Sequence, residues 1–538
     1  MNFQNATMKS KLNILWLLAL VLFCPVAGLM INASVFAPRS LVVLLAWTAL
    51  LLAPYVATRK KWLYVVAATI VFVDGFINLF HWCILRCPLN ASSIFVFLNT
   101  NFSEASEFMS IKLTPRLLLL IPYTVLYIIA LRNIPPLSLH NRRSQIVWSA
   151  IWLAVALFFA DNLIHKRFVR LAVPDVERAL ISFANEARSF RNLRTRALAT
   201  VDASLTTDDT TVVVVIIGES CNRNHLSLYG YGRKTTPRLH SRSDLMVFDN
   251  VVSANSNTLR SFMNFMTTNN AELQRPLDSC LHIFDIVHST PYKSYWISNQ
   301  SPIGLWDNGV TSLAQNADIT TFVNIAANSS MESTLISSYD ENLLPPLATA
   351  LADTARNKLI FLHLMGNHTK YEKRYPPSYA CFDVSGDKKT RTINAYDNSV
   401  YYNDFIVDTI FSILKTYSSL HEGTRISALY FSDHGENVYD DGDYAGHDYS
   451  GRIPNANVEI PFLLWMSPTQ KTYLASRNID WNNRTHSPYM IDDLFYTLLD
   501  LCDVSVRCFD PKRSILNPDF DSTRRRLLED GNEYTTTK

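Results

Sequence analysis

The sequence predicts a chain of two parts, an N-terminal transmembrane domain of five helices and an α/β domain whose mostly parallel sheet carries helices on both faces. Five apolar segments, each near the length of a bilayer-spanning helix, occupy the first third of the 538 residues. From Thr211 onward, short apolar runs alternate with helix-like segments, which is typical of a parallel sheet. The run Val212–Ile217 is β-branched throughout, as in strands that are buried on both faces.

These features divide the chain into a membrane domain at residues 1–165, an interfacial bridge and linker at 166–210, and the α/β domain at 211–538. Between residues 176 and 198, apolar residues recur at helical spacing with arginines interleaved, which predicts an amphipathic helix on the membrane surface. The polar stretch Ser204–Asp209 predicts a flexible domain boundary. The predicted spans are approximately Leu12–Ala33, Leu41–Ala57, Trp62–Leu85, Leu117–Leu131 and Ile146–Ile164.

The orientation of the spans follows from the positions of lysine and arginine. Lys9 and Lys11 precede the first span, and Arg59–Lys61 join the second to the third. The link between the first and second spans carries only Arg39. The positive-inside rule therefore places the N-terminus in the cytoplasm. Five crossings then place every residue after Ile164 outside the inner membrane, which in a bacterium is the periplasm.

Charge and cysteine content argue against some functions. The net charge of +2, without a basic motif, argues against a nucleic-acid-binding protein. The eight cysteines form no CxxC pair, which argues against a cysteine metal site and thiol redox chemistry. Cys502 and Cys508 flank a short loop and are a candidate disulfide. Cys83 and Cys87 lie one helical turn apart and are either a second candidate pair or packing residues.

Three predicted strands end in polar residues that can hold a metal ion. Glu219 follows the first buried strand, and His368 ends a second apolar run. Asp433 and His434 end a third. Because parallel strands end at the same edge of a sheet, we expect these four residues to gather there. Carboxylates with an imidazole are typical ligands of zinc or a similar divalent ion, although polar residues also end strands that bind no metal.

A hydroxyl residue lies at a predicted helix start in the stretch Ser253–Ser261. Ser256 and Asn257 are good N-cap residues, so Thr258 would occupy the first turn, where free N–H groups and the helix dipole favour a phosphate. Next to a divalent metal such a hydroxyl can attack phosphorus, whereas without one Thr258 would only cap the helix. His447, in a polar loop thirteen residues after His434, is a candidate proton donor or a surface residue.

The predicted outer loop between the third and fourth spans carries Thr100 and Glu104. They are four residues apart and share one face if the loop is helical. A carboxylate at the membrane surface can bind a cationic lipid head group, and the alternative is a solvated surface helix.

Five short motifs stand out in the α/β part of the chain: Gly218–Ser220, Leu228–Arg233, Thr235–Pro237, His363–His368 and Phe431–Glu436. Together with the five predicted spans, they resemble those of a known family, the phosphoethanolamine transferases, which have an alkaline-phosphatase-like domain after five membrane spans. Within that family, the sequences around Phe248–Val252 and Asp510–Ser514 are most similar to the branch that modifies the lipopolysaccharide core.

The resemblance implies a zinc site held by Glu219, Thr258, Asp433 and His434 in the periplasm. It implies that Thr258 is the nucleophile that takes phosphoethanolamine from phosphatidylethanolamine and passes it to lipopolysaccharide, at a core heptose or a lipid A phosphate.

Other residues match the family's substrate positions. His368 and His447 match its substrate-phosphate and proton-transfer histidines, and Thr100 and Glu104 match the loop positions that meet the ethanolamine end of the donor.

The chain departs from the family in two places. Better-known members have Cys-Gly-Thr before the helix, where this chain has Ala254–Ser256, so Ser256 is a rival nucleophile to Thr258. An asparagine expected one helical turn before the loop threonine is Val96 here, so part of the implied head-group contact is missing.

Three alternatives remain open: a phosphoglycerol transferase, a sulfatase-like phosphodiesterase on the same fold, or a membrane sensor without catalysis. Sulfatases carry a C/S-x-P-x-R motif at the nucleophile, and Ser256–Arg260 lacks its proline. The Glu219, Asp433 and His434 set argues against the sensor.

Overall fold

The structure, a computed structural model, describes residues 2–31, 38–85, 114–137, 141–164, 198–300, 309–324, 337–447 and 451–536, together with 89, 94, 174, 176–181, 183, 184, 188 and 449. The chain divides into two compact units. The first holds the N-terminal helices up to residue 187, and the second holds the sheet from residue 188 onward. The predicted bridge at 176–198 is described only in part, and its described residues 176–181 are helical.

The first unit contains five long or medium helices among its described residues: α1 (Asn2–Ile31), α2 (Pro38–Thr58), α3 (Lys61–Leu85), α4 (Leu120–Arg132) and α5 (Arg142–Ile164). Four stretches of the described chain are long and apolar enough to cross a membrane: Met8–Gly28, Leu41–Thr58, Lys61–Ile84 and Pro115–Arg132. They correspond to four of the five predicted spans. The fifth, Ile146–Ile164, is helical as part of α5 but is not among them.

Polar side chains in the first unit bond to carbonyls that helices leave free. Tyr64 of α3 donates to the Ala130 carbonyl in α4 at 2.9 Å. The Trp152 indole of α5 donates to the Leu50 carbonyl in α2 at 2.8 Å. Buried hydroxyl and indole groups need such partners, so these bonds fix neighbouring helices against one another.

The second unit is built on a seven-stranded sheet with the order β3-β11-β8-β2-β7-β5-β6. Its strands β2, β5, β6, β7 and β8 are all parallel, whereas β11 runs antiparallel to β8 and β3. The predicted mostly parallel sheet is therefore present, with one antiparallel strand. All strands in chain order are β1 (Ala203–Leu205), β2 (Thr211–Gly218), β3 (Leu245–Phe248), β4 (Val251–Val252), β5 (Tyr292–Ser298), β6 (Ile319–Phe322), β7 (Asn357–His363), β8 (Arg425–Ser432), β9 (Asn437–Val438), β10 (Ala445–Gly446), β11 (Phe462–Met466), β12 (Tyr489–Met490) and β13 (Val504–Val506).

Helices cover both faces of this sheet, as predicted. Alternate residues of β2, among them Val214 and Ile216, pack against Ile406 and Ile410 of a 33-residue helix. On the opposite face, Phe262 packs against aromatic side chains of β5 and β7. The helices of this unit are α6 (Pro237–His240), α7 (Thr258–Phe265), α8 (Ile283–Val287), α9 (Gly309–Ala314), α10 (Leu344–Ala352), α11 (Lys388–Leu420), α12 (Pro468–Ala475), α13 (Trp481–Arg484) and α14 (Leu494–Leu501).

The structure does not contain the candidate disulfide between Cys502 and Cys508, and it modifies the predicted domain boundary. Cys502 and Cys508 are both free thiols: Cys502 is buried directly after α14, whereas Cys508 follows β13 and is partly exposed. Cys83 is also free, and Cys87 lies outside the described residues. The predicted flexible stretch Ser204–Asp209 begins in strand β1, which pairs with β13.

Candidate active site

The register of the central strands brings the candidate ligands together. Gly218 at the end of β2 lies opposite Ser432 at the end of β8, so the residues that follow, Glu219 and Asp433, leave the sheet side by side. One ligand atom each from Glu219, Asp433 and His434 lie within 4.8 Å of one another, and all three residues are buried. The expected gathering at one sheet edge is therefore found for these three residues.

The hydrogen bonds of this cluster leave it suited to a cation. His434 Nδ1 bonds to the Gly435 carbonyl at 2.7 Å, which directs Nε2 toward Glu219 Oε1 at 3.2 Å. Asp433 Oδ2 is buried and makes no hydrogen bond to the described residues. A buried carboxylate oxygen without a donor is costly, and a metal ion would satisfy it.

The electrostatics of the cluster point the same way. Burial, reinforced by the charge of Glu219, raises the pKa of Asp433 to about 7. Burial alone lowers the pKa of His434, but the charges of Asp433 and Glu219 outweigh it and raise that pKa to about 10. Two carboxylates this close cannot both ionise cheaply without a positive charge beside them, which the His434 imidazolium supplies here and a bound metal ion would supply in its place.

Thr258 lies against this cluster. Its Oγ1 is 3.1 Å from Glu219 Oε2 and 3.4 Å from His434 Nε2. It is the first residue of α7, and the preceding Asn257 caps the helix by accepting from the Arg260 N–H at 3.1 Å. The predicted cap and first turn are therefore observed, and the helix start carries the hydroxyl to the three candidate ligands.

Ser256 has a different environment from Thr258. Its backbone N–H and its hydroxyl both donate to Glu529 Oε1, at 3.1 and 3.0 Å. Ser256 is also buried. Its hydroxyl is thus engaged with a carboxylate of the C-terminal segment, whereas the Thr258 hydroxyl faces Glu219 and His434.

The loop after β7 is fastened to the backbone of Glu219. Asn367 donates its N–H to the Glu219 carbonyl at 2.9 Å. Gly366 has a φ of +53°, and a Cβ there would lie 2.8 Å from the Glu219 nitrogen, so only glycine fits. This loop carries His368, whose Nδ1 is buried without a hydrogen bond to the described residues. Burial lowers the pKa of His368 to about 4, against the opposing charge of Glu219, so its imidazole is neutral.

His447 is oriented by a carboxylate that the sequence reasoning missed. Its Nδ1 lies 2.9 Å from Glu436 Oε2, and Tyr371 donates to the other oxygen at 2.6 Å. The His447 ring lies 4.6 Å from the ring of His434. A proton on Nδ1 is held by the carboxylate of Glu436, which fixes the orientation of the ring. The position of Glu436 at the end of the motif Phe431–Glu436 was the available sequence signal.

Two further residues hold Glu219 and were also missed. Ser220 has a φ of +54°, which is unusual for a residue with a side chain. It donates its hydroxyl to Glu219 Oε1 at 2.8 Å and its N–H to Asp433 Oδ1 at 3.3 Å. Gln300 donates to Glu219 Oε2 at 3.2 Å. Ser220 is adjacent to a candidate ligand in sequence, whereas no pattern in the sequence indicates Gln300.

The loop residues Thr100 and Glu104 lie outside the described residues, as does Val96. Among the described residues, the donor set at the cluster is two carboxylates, one imidazole and one hydroxyl. Zinc accepts four such nitrogen and oxygen ligands in tetrahedral geometry, and Asp433 Oδ2, which accepts no hydrogen bond from the described residues, is available to bind it. The residues present therefore fit the zinc ion implied by the sequence.

Comparison of the sequence with known protein families identifies the family to which the α/β unit belongs. Residues 211–504 match the sulfatase family, and because this is more than half of the chain, the protein belongs to that family. The predicted alkaline-phosphatase-like fold agrees with this assignment.

The particular relatives within the family are phosphoethanolamine transferases, which confirms the resemblance found in the motifs. EptC of Escherichia coli is 28% identical over 511 residues, spanning 88% of this chain and 85% of EptC. CptA of Salmonella typhimurium is 28% identical over 513 residues, with the same coverage of 88% and 85%.

Solved structures agree with these relatives. The C-terminal periplasmic domain of Escherichia coli EptC, in complex with Zn, is 30% identical with a TM-score of 0.56, covering 63% of this chain and 95% of that domain. The integral membrane protein EptA of Neisseria meningitidis has a TM-score of 0.60 and covers 89% of this chain and 97% of its own, at 19% identity. The latter shares the fold.

Proposed function

We propose that this protein is a zinc-dependent phosphoethanolamine transferase of the bacterial inner membrane, which acts through a covalent phospho-Thr258 intermediate. The observation that carries the proposal is the position of the Thr258 hydroxyl, 3.1 Å from Glu219 within a buried cluster completed by Asp433 and His434. The names of the relatives supply the transferred group.

Zinc held by Glu219, Thr258, Asp433 and His434 would lower the pKa of the Thr258 hydroxyl and neutralise charge on the donor phosphate. In the first step, Thr258 Oγ1 forms a bond to phosphorus, and the bond from phosphorus to the lipid alcohol breaks. Diacylglycerol leaves after taking a proton. In the second step, an acceptor hydroxyl or phosphate attacks the same phosphorus and releases Thr258.

We assign proton transfer to His447 and phosphate binding to His368. His447, whose Nδ1 lies against Glu436, would enter the first step as an imidazolium, give its Nε2 proton to the leaving lipid alcohol, and take the acceptor's proton on Nε2 in the second step. The neutral imidazole of His368 can donate a hydrogen bond to a phosphate oxygen from whichever ring nitrogen carries the proton, Nδ1 or Nε2. Thr100 and Glu104 would meet the ethanolammonium group, since a carboxylate attracts that cation.

The donor we propose is phosphatidylethanolamine, and the acceptor is lipopolysaccharide, at a core heptose or a lipid A phosphate. A solved relative carries lipooligosaccharide in its name. We propose that α5 is a fifth span, so that a cytoplasmic N-terminus and a periplasmic active site are joined by an odd number of crossings. Tethering to the bilayer keeps the site beside its lipid donor.

The test is mass spectrometry of lipopolysaccharide from a deletion strain complemented with variants. We expect deletion to remove one phosphoethanolamine unit, the wild type to restore it, and Thr258→Ala to fail while keeping its zinc. Restoration by Thr258→Ala together with failure of Ser256→Ala would make Ser256 the nucleophile. Loss of phosphoglycerol instead would contradict the proposed donor.

A further inference from the structure

The segment that precedes Thr258 lies under the C-terminal segment of the chain. Glu529 donates its backbone N–H to the Ala254 carbonyl at 2.9 Å. Its side chain is only 7% exposed. A carboxylate from a distant part of the sequence is therefore built into the loop that leads to the proposed nucleophile.

Both oxygens of this carboxylate accept from that loop. Oε1 accepts from the Ser256 N–H at 3.1 Å and from its hydroxyl at 3.0 Å. Oε2 accepts from the Asn257 side chain at 3.4 Å and from Arg260 at 3.3 Å. Charge-assisted hydrogen bonds of this kind are stronger than neutral ones and fix geometry.

The C-terminal segment is itself held in place on either side of Glu529. Arg526 donates to the Asn250 side-chain oxygen at 2.7 Å. Asp530 accepts from the Ile453 N–H at 3.0 Å, and Tyr534 donates to Glu459. Glu529 is thus presented by an anchored segment rather than by a free end.

The bonds reach Thr258 through the helix cap. The Asn257 side chain donates from its Nδ2 to Glu529 and accepts on its Oδ1 from the Arg260 N–H, which caps α7. By fixing Asn257, Glu529 therefore also fixes Thr258, the first residue of the helix. The chain has no cysteine between Cys221 and Cys280, so a disulfide cannot tether this loop. A misplacement of about 1 Å at a reacting atom is enough to cost roughly 100-fold in rate.

We propose that Glu529 is a positioning residue for Thr258, and that by occupying the Ser256 hydroxyl it also keeps that rival out of the reaction. This inference rests on the proposed function. Glu529 acts through Asn257 and Ser256, and within the described part of the chain it makes no hydrogen bond to Glu219, Asp433 or His434. Its loss should therefore slow phosphoryl transfer without releasing zinc.

The test uses the full-length protein in detergent with vesicles of phosphatidylethanolamine. Glu529→Gln keeps the size of the side chain and removes its charge. We expect kcat to fall about tenfold or more, with KM and zinc content unchanged, and accumulation of the phosphoethanolamine adduct on Thr258 to slow equally. The matched control is Glu533→Gln, since Glu533 is 47% exposed and pairs with Arg525 at 3.0 Å outside this loop.

Two further variants keep the test decisive. Ser256→Ala should lower kcat less than Glu529→Gln, because Asn257 and Arg260 still bond to Glu529. If Glu529→Gln does not fold, Glu529→Asp keeps the charge but shortens the reach, and we expect a partial loss of kcat at normal zinc content.

Several results would overturn the inference. They are a wild-type kcat in the folded Glu529 variant, loss of zinc in parallel with kcat, or an adduct on Ser256 that disappears with Glu529→Gln. The last would make Ser256 and Glu529 a nucleophile and its base. A wild-type protein that forms no adduct and transfers no phosphoethanolamine would refute the proposed function itself. An active wild type with an equally active Glu529 variant would refute only the role of Glu529.

Discussion

Thr258 and Ser256 show how much a hydroxyl depends on its surroundings. The sequence left both open as nucleophiles, because each is a hydroxyl residue near a predicted helix start. The fold separates them: Thr258 faces Glu219 and His434, whereas Ser256 faces Glu529. No local pattern reveals this difference, since Glu529 lies more than 270 residues away in the chain.

Glu219 is the residue on which the proposed metal site depends most. We expect Glu219→Ala to lower zinc affinity by more than about 100-fold, because it removes a ligand where loss of a supporting group already costs 10–100-fold. Metal analysis of the purified protein measures this. Glu422→Ala, at an exposed position, is the control. Unchanged zinc in the Glu219 variant would remove this residue from the ligand set.

At the scale of elements, the sequence predicted the strands well and the loops poorly. The β-branched run Val212–Ile217 and the two later apolar runs became β2, β7 and β8, because buried strands leave a continuous apolar pattern. Their parallel register then places Glu219 beside Asp433. Gln300 and Glu436 are positioned by loop geometry, which hydrophobic pattern does not encode.

A second buried network fixes the loop that carries His447. His225 lies between Asp397 and Asp440, with its ring nitrogens 2.8 and 3.1 Å from their oxygens. Asp440 in turn accepts from the Val438 N–H at 2.8 Å. Burial alone lowers the pKa of His225, but the two carboxylates outweigh it and raise that pKa to about 9. The His225 side chain is therefore charged at neutral pH.

This network makes stability depend on pH with a definite sign. Because the folded pKa of His225 lies above its ordinary value, its contribution is complete below about pH 6.5 and is lost as pH rises through 9, by at most about 3 kcal/mol. We expect the melting temperature to fall over this range in the wild type and less in His225→Asn. His240→Asn, at an exposed histidine, is the control. Parallel wild-type and His225→Asn profiles would contradict this.

At the scale of the whole molecule, each of the two units is recognisable from the sequence, but the number of spans is not. Among the described residues, four helices are long and apolar enough to cross a membrane, and they coincide with four of the five predicted spans. Helix α5 begins with Arg142 and Arg143 and carries Asp161, so composition alone does not assign it. Whether α5 crosses the membrane decides whether the number of crossings is odd or even, and therefore on which side of the membrane the sheet lies.

Cys381 provides a natural probe of this topology. It is the exposed one among the described cysteines, which are otherwise buried or, for Cys508, partly buried. We expect a membrane-impermeant maleimide to label the wild type in intact spheroplasts and to label Cys381→Ser much less. Lysed spheroplasts give the total labelling for comparison. Labelling of Cys381 only after lysis would place the sheet in the cytoplasm and refute the five-span arrangement.

The free thiols have a consequence for how the protein matures. Within the part of the chain that the structure describes, Cys221 and Cys502 are buried and unbridged, so packing, hydrogen bonds and ion pairs, rather than a disulfide of these residues, hold the sheet and its site. The enzyme would then reach its active form without help from the cell's oxidative folding machinery. Its abundance would be indifferent to the loss of a thiol oxidase that disulfide-stapled envelope proteins require.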